Sequence, residues 1–206
     1  RTTHLENFVQ CGKRLTAHLL SCTMDVTTRT GQSTGMGANL PPGTAALCGA
    51  DTEDTNVTKK KIGVLGAGTW GMALARMLCV SGNEVQVWSA LPAEVDSLSA
   101  ARVHPNLPGM KIPAELQFTK SIEEVCTGKD VLLFAVPSVF VRSTTAKARP
   151  YIPDGQILVD VAKGMEPDTL YTMTEVIADE LNREGGPKGV KLVALSGPTH
   201  AEEVAL

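Results

Sequence analysis

The residues with the plainest chemical meaning are the three glycines of Gly66-Ala67-Gly68-Thr69-Trp70-Gly71. A GxGxxG spacing suits a tight turn that holds a diphosphate on free backbone N–H groups where a strand becomes a helix. Gly66 permits the turn, Gly68 lets the backbone approach the phosphates, and Gly71 lets helix and strand pack closely. The spacing alone is weak, because glycine-rich turns are common. Here an apolar run leads into Gly66 and an amphipathic stretch leads out of Gly71, so dinucleotide binding outweighs a merely structural turn. The ribose-reading position is silent. A NAD-preferring site places Asp or Glu about 20 residues after the glycines and an NADP-preferring site places a basic residue nearby. The second strand ends Gln86-Val87-Trp88-Ser89-Ala90 with neither, so the cofactor is NADP or NAD, and Trp88 reads as a core residue at a strand end.

Further polar segments follow other apolar runs: Val136-Pro137-Ser138, Ala162-Lys163-Gly164, and Ser196-Gly197-Pro198-Thr199-His200-Ala201. Open α/β sheets bind ligands at the carboxyl ends of their strands, which is where these segments fall. A Lys after a buried strand, beside a Gly, can project its ammonium over the crevice toward a carbonyl or phosphate. Taken alone, an exposed structural Lys is the commoner reading, and Ser196 to Thr199 could be only a turn opening a helix with Thr199 as its cap.

The elements that must position these residues form an alternation of short β-branched runs and helical stretches, the pattern of βαβ units in a parallel sheet. Strands are predicted at Lys61 to Leu65, Glu84 to Trp88, Leu116 to Phe118, Val131 to Val136, Ile157 to Val161 and Lys191 to Leu195. The first helix carries Trp70, Leu74, Met77 and Leu78 on one face and stops before Gly82, a C′ residue. Ser121-Ile122-Glu123-Glu124 reads as a capping box, and a later helix repeats Leu170, Met173, Ile177 and Leu181. The fold class is therefore α/β, a doubly wound, Rossmann-type, mostly parallel sheet over residues 59–206.

Residues 1–58 are Thr-rich and lack sustained periodicity, and are expected to be largely disordered. Their first half, with Arg and Thr and few acids, resembles a transit peptide yet starts at Arg1, so a targeting role and a functionless upstream segment both stand. With 206 residues, 43% hydrophobic and 20% charged, the chain holds enough apolar surface for a folded domain. A net charge of −3 gives no basic field for nucleic acid or an anionic membrane, and no apolar run approaches the ~20 residues of a span. No nucleic-acid or membrane partner is expected. Five cysteines without CxxC or metal-ligand spacing read as reduced thiols, with Cys79 and Cys126 as small core residues and no metal site.

From Lys60 to the last residue the chain resembles the bacterial-type NAD(P)-dependent glycerol-3-phosphate dehydrogenase family. The resemblance rests on Gly66 to Gly71, His104-Pro105-Asn106-Leu107-Pro108-Gly109, Val136-Pro137-Ser138, Lys163-Gly164 and Ser196 to Ala205. It implies NAD(P)H-dependent reduction of dihydroxyacetone phosphate to sn-glycerol 3-phosphate, feeding phospholipid synthesis. By resemblance Thr69 and Trp70 lie against the dinucleotide and Lys163 touches both substrate and cofactor. Gly197 and Thr199 contact substrate, and Ala201 contacts cofactor. Many relatives carry Arg or His where this chain has Ala90, which loosens the carry-over of an NADPH preference. His200 stands where Phe is frequent and is given a packing role.

The resemblance also implies a C-terminal helical domain with the proton-donating Lys and an Arg-containing phosphate patch, expected beyond Leu206. No catalytic residue is therefore assigned within these 206 residues, and the chain alone is expected to bind dinucleotide weakly without turnover. A homodimer of the full-length protein and a cytoplasmic location are further expectations, with an organelle as the alternative if the extension is a transit peptide. Two other readings remain: a dehydrogenase of 3-hydroxy acids or sugar acids, and a non-catalytic dinucleotide-binding module.

Overall fold

The computed structural model describes residues 59–196 and 200–205; the expectation of disorder over residues 1–58 lies outside them. The six predicted strands all form: β1 (Lys61–Leu65), β2 (Glu84–Trp88), β3 (Gln117–Thr119), β4 (Val131–Phe134), β5 (Ile157–Asp160) and β6 (Lys191–Ala194). All pair in parallel, in the order β3-β2-β1-β4-β5-β6. This is the doubly wound Rossmann order, whose chain direction across the sheet reverses between β1 and β4.

Between the strands lie α1 (Thr69–Val80), α2 (Pro92–Ala101), α3 (Ile122–Cys126), α4 (Ser138–Ala148), α5 (Met173–Leu181) and α6 (Ala201–Ala205), with a 3-10 turn at Arg149–Tyr151. Strands covered on both faces must be apolar on both, and the side chains divide accordingly. Val64, Val87, Leu133 and Val159 pack toward α1 and α2. Leu65, Trp88, Leu132, Phe134 and Leu158 pack toward α4 and α5. Phe134 is fully buried at the centre, and its truncation to Ala should cost about 3–5 kcal/mol.

Several local details differ from the sequence-based expectations. Leu170 is not part of a helical stripe: it lies before α5 in a left-handed conformation (φ 58) and is 68% exposed. The cause is Thr172, which forms the full capping box with Glu175 and so fixes the helix start at Met173. Ser121 forms only half of its expected box. Its hydroxyl accepts from the Glu124 amide (3.3 Å), while the Glu124 carboxylate takes the Thr119 hydroxyl (2.5 Å). β3 begins one residue later than expected, after the buried Leu116. Trp88 is a core residue, its indole N–H donating to the Lys120 carbonyl (3.2 Å). Cys79 and Cys126 are free and buried, and burial pushes the Cys126 thiol up to about 12.

Candidate functional site

At the carboxyl end of the sheet the β1–α1 turn is fixed by close backbone approaches. The Gly66 amide donates to the Trp88 carbonyl (2.9 Å), and the Ala135 amide donates to the Leu65 carbonyl (2.8 Å). Gly66 has φ 122, and a Cβ there would lie 2.6 Å from the Ala135 oxygen. A Cβ on Gly71 would lie 2.3 Å from the Gly66 oxygen. These two glycines are buried and shape the turn. Gly68 differs: it is exposed, and a Cβ there would meet nothing within 4 Å. The open space above Gly68 is where a ligand could reach the backbone.

Helix α1 begins at Thr69, with Gly68 at its N-cap and no side-chain cap. Its first-turn N–H groups have no intrahelical acceptor and carry the positive end of the helix dipole, a combination suited to a diphosphate. A cleft of about 360 Å³ opens there, between β1 and β4. Its walls come from Gly68, Thr69 and Trp70, from Ala135, Val136 and Pro137 after β4, from Val161, Ala162 and Lys163 after β5, and from His200 and Ala201. The structure thus brings Gly68, Thr69, Trp70, Lys163 and Ala201 together. Gly66 and Gly71 sit behind the wall, and Gly197 and Thr199 lie outside the described residues. His200 is exposed at the rim and does not take the packing role expected of it. Ala201 reaches the cleft because α6 lies against α1, with Ala205 buried between them.

The segment carrying Lys163 is held from three sides. Gly164 (φ 133) would place a Cβ 3.3 Å from the Ser138 side chain, so the β5–α5 loop abuts the start of α4. The loop closes on itself through a Met165–Thr172 bridge and through the Glu166 amide donating to the Tyr171 carbonyl (2.9 Å). Arg142 on α4 then grips Glu166 with two N–H···O bonds of 2.7 Å and reaches Asp179 on α5 at 2.5 Å. Arg142, backed by the Thr169 hydroxyl, holds the Glu166 carboxyl down at about 2. Sequence reading missed this clamp, since only tertiary contact joins residues so far apart in the chain. Lys163 is exposed at the rim.

Two further carboxylates went unread. Asp160 ends β5 and is buried; desolvation raises it to about 6, while the Ala162 amide it accepts (3.0 Å) opposes the shift. Glu94, in the first turn of α2, accepts the Ser89 hydroxyl at 2.5 Å. The expected location for an acid was the end of β2, and Glu94 lies beyond it in the next helix. The His104 to Gly109 segment is not at the cleft. It is a compact turn, with His104 and Leu107 buried and the Asn106 amide donating to His104 Nδ1 (3.2 Å).

Comparison with known proteins agrees with this fold. The model of the family described as "NAD-dependent glycerol-3-phosphate dehydrogenase N-terminus" matches residues 61–206. The chain is 71% identical over 145 residues to "Glycerol-3-phosphate dehydrogenase [NAD(P)+] 2" of Lactobacillus delbrueckii subsp. bulgaricus, a match covering 70% of this chain and 43% of the relative. It is 41% identical over 145 residues to the enzyme "Glycerol-3-phosphate dehydrogenase [NAD(P)+]" of Agathobacter rectalis, covering 70% and 41%. The crystal structure of glycerol-3-phosphate dehydrogenase from Coxiella burnetii superposes with a TM-score of 0.64 at 31% identity, covering 71% of this chain and 43% of that one. The chain therefore spans less than half the length of these relatives. Solved structures of a 3-hydroxyisobutyrate dehydrogenase and a UDP-glucose dehydrogenase, at 13% and 19% identity, share the fold alone.

Proposed function

The chain belongs to the NAD-dependent glycerol-3-phosphate dehydrogenase family, and from that premise we propose that residues 59–206 form the dinucleotide-binding domain of an NAD(P)H-dependent reductase of dihydroxyacetone phosphate. The product would be sn-glycerol 3-phosphate, a phospholipid precursor. One observation carries the reading. The open Gly68 backbone, the uncapped start of α1 and Lys163 converge on a single cleft at the switch point between β1 and β4.

Each wall has a task. The first-turn N–H groups of α1 hold the diphosphate, and Thr69, Trp70 and Ala201 lie along the dinucleotide. Ala135, Val136 and Val161 supply an apolar surface that excludes water from the reacting centre. A bound nicotinamide supplies the hydride taken up by the ketone carbon. Lys163 places an ammonium at the rim, where it orients a substrate oxygen and offsets charge developing on it. The Arg142–Glu166 grip keeps that Lys in place. Gly197 and Thr199 complete the substrate contacts, and the proton donor is assigned to a Lys outside residues 59–206, as the family resemblance implies.

Among the described residues no helix is long and apolar enough to cross a membrane, and a cytoplasmic location is part of the proposal. So is a homodimer of the full-length protein. The test is a substrate panel with NADH and NADPH on the longest polypeptide that contains these residues. Dihydroxyacetone phosphate should oxidise the nucleotide, while the keto forms of 3-hydroxy acids should not. Turnover confined to the latter would contradict the assignment.

A further inference from the structure

The carboxylate of Glu94 lies just beyond the carboxyl end of β2, held there by four hydrogen bonds. The glycine turn is joined directly to the end of β2, because the Gly66 amide donates to the Trp88 carbonyl (2.9 Å). The next residue, Ser89, is buried and points its hydroxyl at Glu94 Oε2 (2.5 Å), while its oxygen accepts the Leu91 amide (3.1 Å). The Glu94 amide donates to the Leu91 carbonyl (3.0 Å), so the side chain departs from the first turn of α2, immediately beyond the strand end. A diphosphate on α1 directs the adenosine ribose to the carboxyl end of β2, where an acidic oxygen accepts from the ribose hydroxyls. Oε2 is engaged by Ser89, and Oε1 has no partner among the described residues.

Resting on the dinucleotide-binding reading, we infer that Glu94 is the specificity-determining residue of the cofactor site and sets a preference for NADH over NADPH. A free 2′-hydroxyl gives Glu94 a donor. A 2′-phosphate brings two acceptor-only anions together, and among the described residues Glu94 has no ion pair to offset the charge. Ala90, between Ser89 and Glu94, is apolar and exposed. Lys120, the cation just past β3, is already paired with Asp96 on α2 at 2.6 Å. The Ser89–Glu94 bond also fastens the start of α2, so a purely structural role for Glu94 is the alternative to be separated.

The separation comes from ligand ratios rather than from stability. The 206-residue chain is titrated with NADH and NADPH by nucleotide fluorescence, and with ADP-ribose and its 2′-phosphorylated form by calorimetry. Each unphosphorylated ligand should bind about tenfold or more tightly than its partner at low salt. Glu94→Gln keeps the side chain's shape and removes its charge. It should narrow the gap to within about threefold by tightening the phosphorylated ligands, with Tm moved by no more than about 2 °C. Ala90→Arg should narrow the same gap by adding a cation, with Glu94 intact. Equal affinity of the unaltered chain for NADH and NADPH, or equal weakening of both ligand pairs by Glu94→Gln, would overturn the inference. Failure of all four ligands to bind the folded chain would instead remove the dinucleotide reading, and this inference with it.

Discussion

The two ends of the sheet both carry a cleft, and the larger one is at the wrong end for chemistry. At the amino ends of the strands a space of about 620 Å³ is bordered by Lys59, Lys61, Asn83, Glu84, Gln86 and Lys129. Its polar groups serve one another: Lys59 pairs with Glu84 (3.1 Å), Lys129 donates to Gln86 (2.8 Å), and Asn83 bonds both the Lys60 amide and the Leu78 carbonyl. At the carboxyl ends the smaller cleft has bare backbone at Gly68 and an uncapped helix start. The contrast teaches that volume is a poor guide to a site. Donors left without protein acceptors, at the end toward which parallel strands direct their loops, are the better one.

The contrast can be broken at both ends, beginning with the largest effect. Gly66→Ala forces a Cβ to within 2.6 Å of the Ala135 oxygen at a positive φ and should cost about 3 kcal/mol or more of unfolding free energy. Gly68→Ala meets no atom and should leave the urea midpoint nearly unchanged while weakening NADH about tenfold. Equal destabilisation by the two would erase the distinction between a glycine that shapes the turn and one that admits a ligand.

At the opposite end, Asn83→Ala removes one buried and one partly buried hydrogen bond and should cost about 2 kcal/mol, read by denaturation, with dinucleotide affinity unmoved. A change in affinity there would join the two ends functionally and contradict the contrast.

Asp160 gives the next effect, and its sign follows from its raised value of about 6. Between pH 4 and 6 the folded chain keeps a proton that the unfolded chain has released, so stability falls as pH rises across that window, and the cost of burying the carboxylate is fully present above about 6. Asp160→Asn retains an acceptor for the Ala162 amide and removes the buried charge. It should therefore add about 1–2 kcal/mol at pH 8 and flatten that window of the stability profile, both measurable by urea titration.

Much of this architecture was legible because parallel strands buried on both faces read as short apolar runs, and all six were located within one or two residues of their observed bounds. The glycine loop was legible for a different reason: Gly66 and Gly71 have steric causes that the Cβ distances reproduce, while a Cβ at Gly68 would meet only open space. What escaped was tertiary or depended on competing caps. Thr172-Met173-Thr174-Glu175 is a capping box in plain sequence, and heeding it would have removed Leu170 from the helix. Glu94 went unremarked because an acid was sought at the end of the strand and not in the first turn of the helix that follows. The Arg142–Glu166 grip links an α4 side chain to a loop 24 residues on, and no local pattern encodes that pairing.

The central claim is that backbone N–H groups at the start of α1 hold a diphosphate. Backbone amide NMR of the 206-residue chain during NADH titration tests it most directly. The expected result is saturable shifts largest at Gly68, Thr69, Trp70 and Gly71, with Asn83 and Lys129 at the far end undisturbed. A folded chain whose Gly68 to Gly71 amides stay in place throughout the titration, or whose shifts gather at the far end, would contradict it.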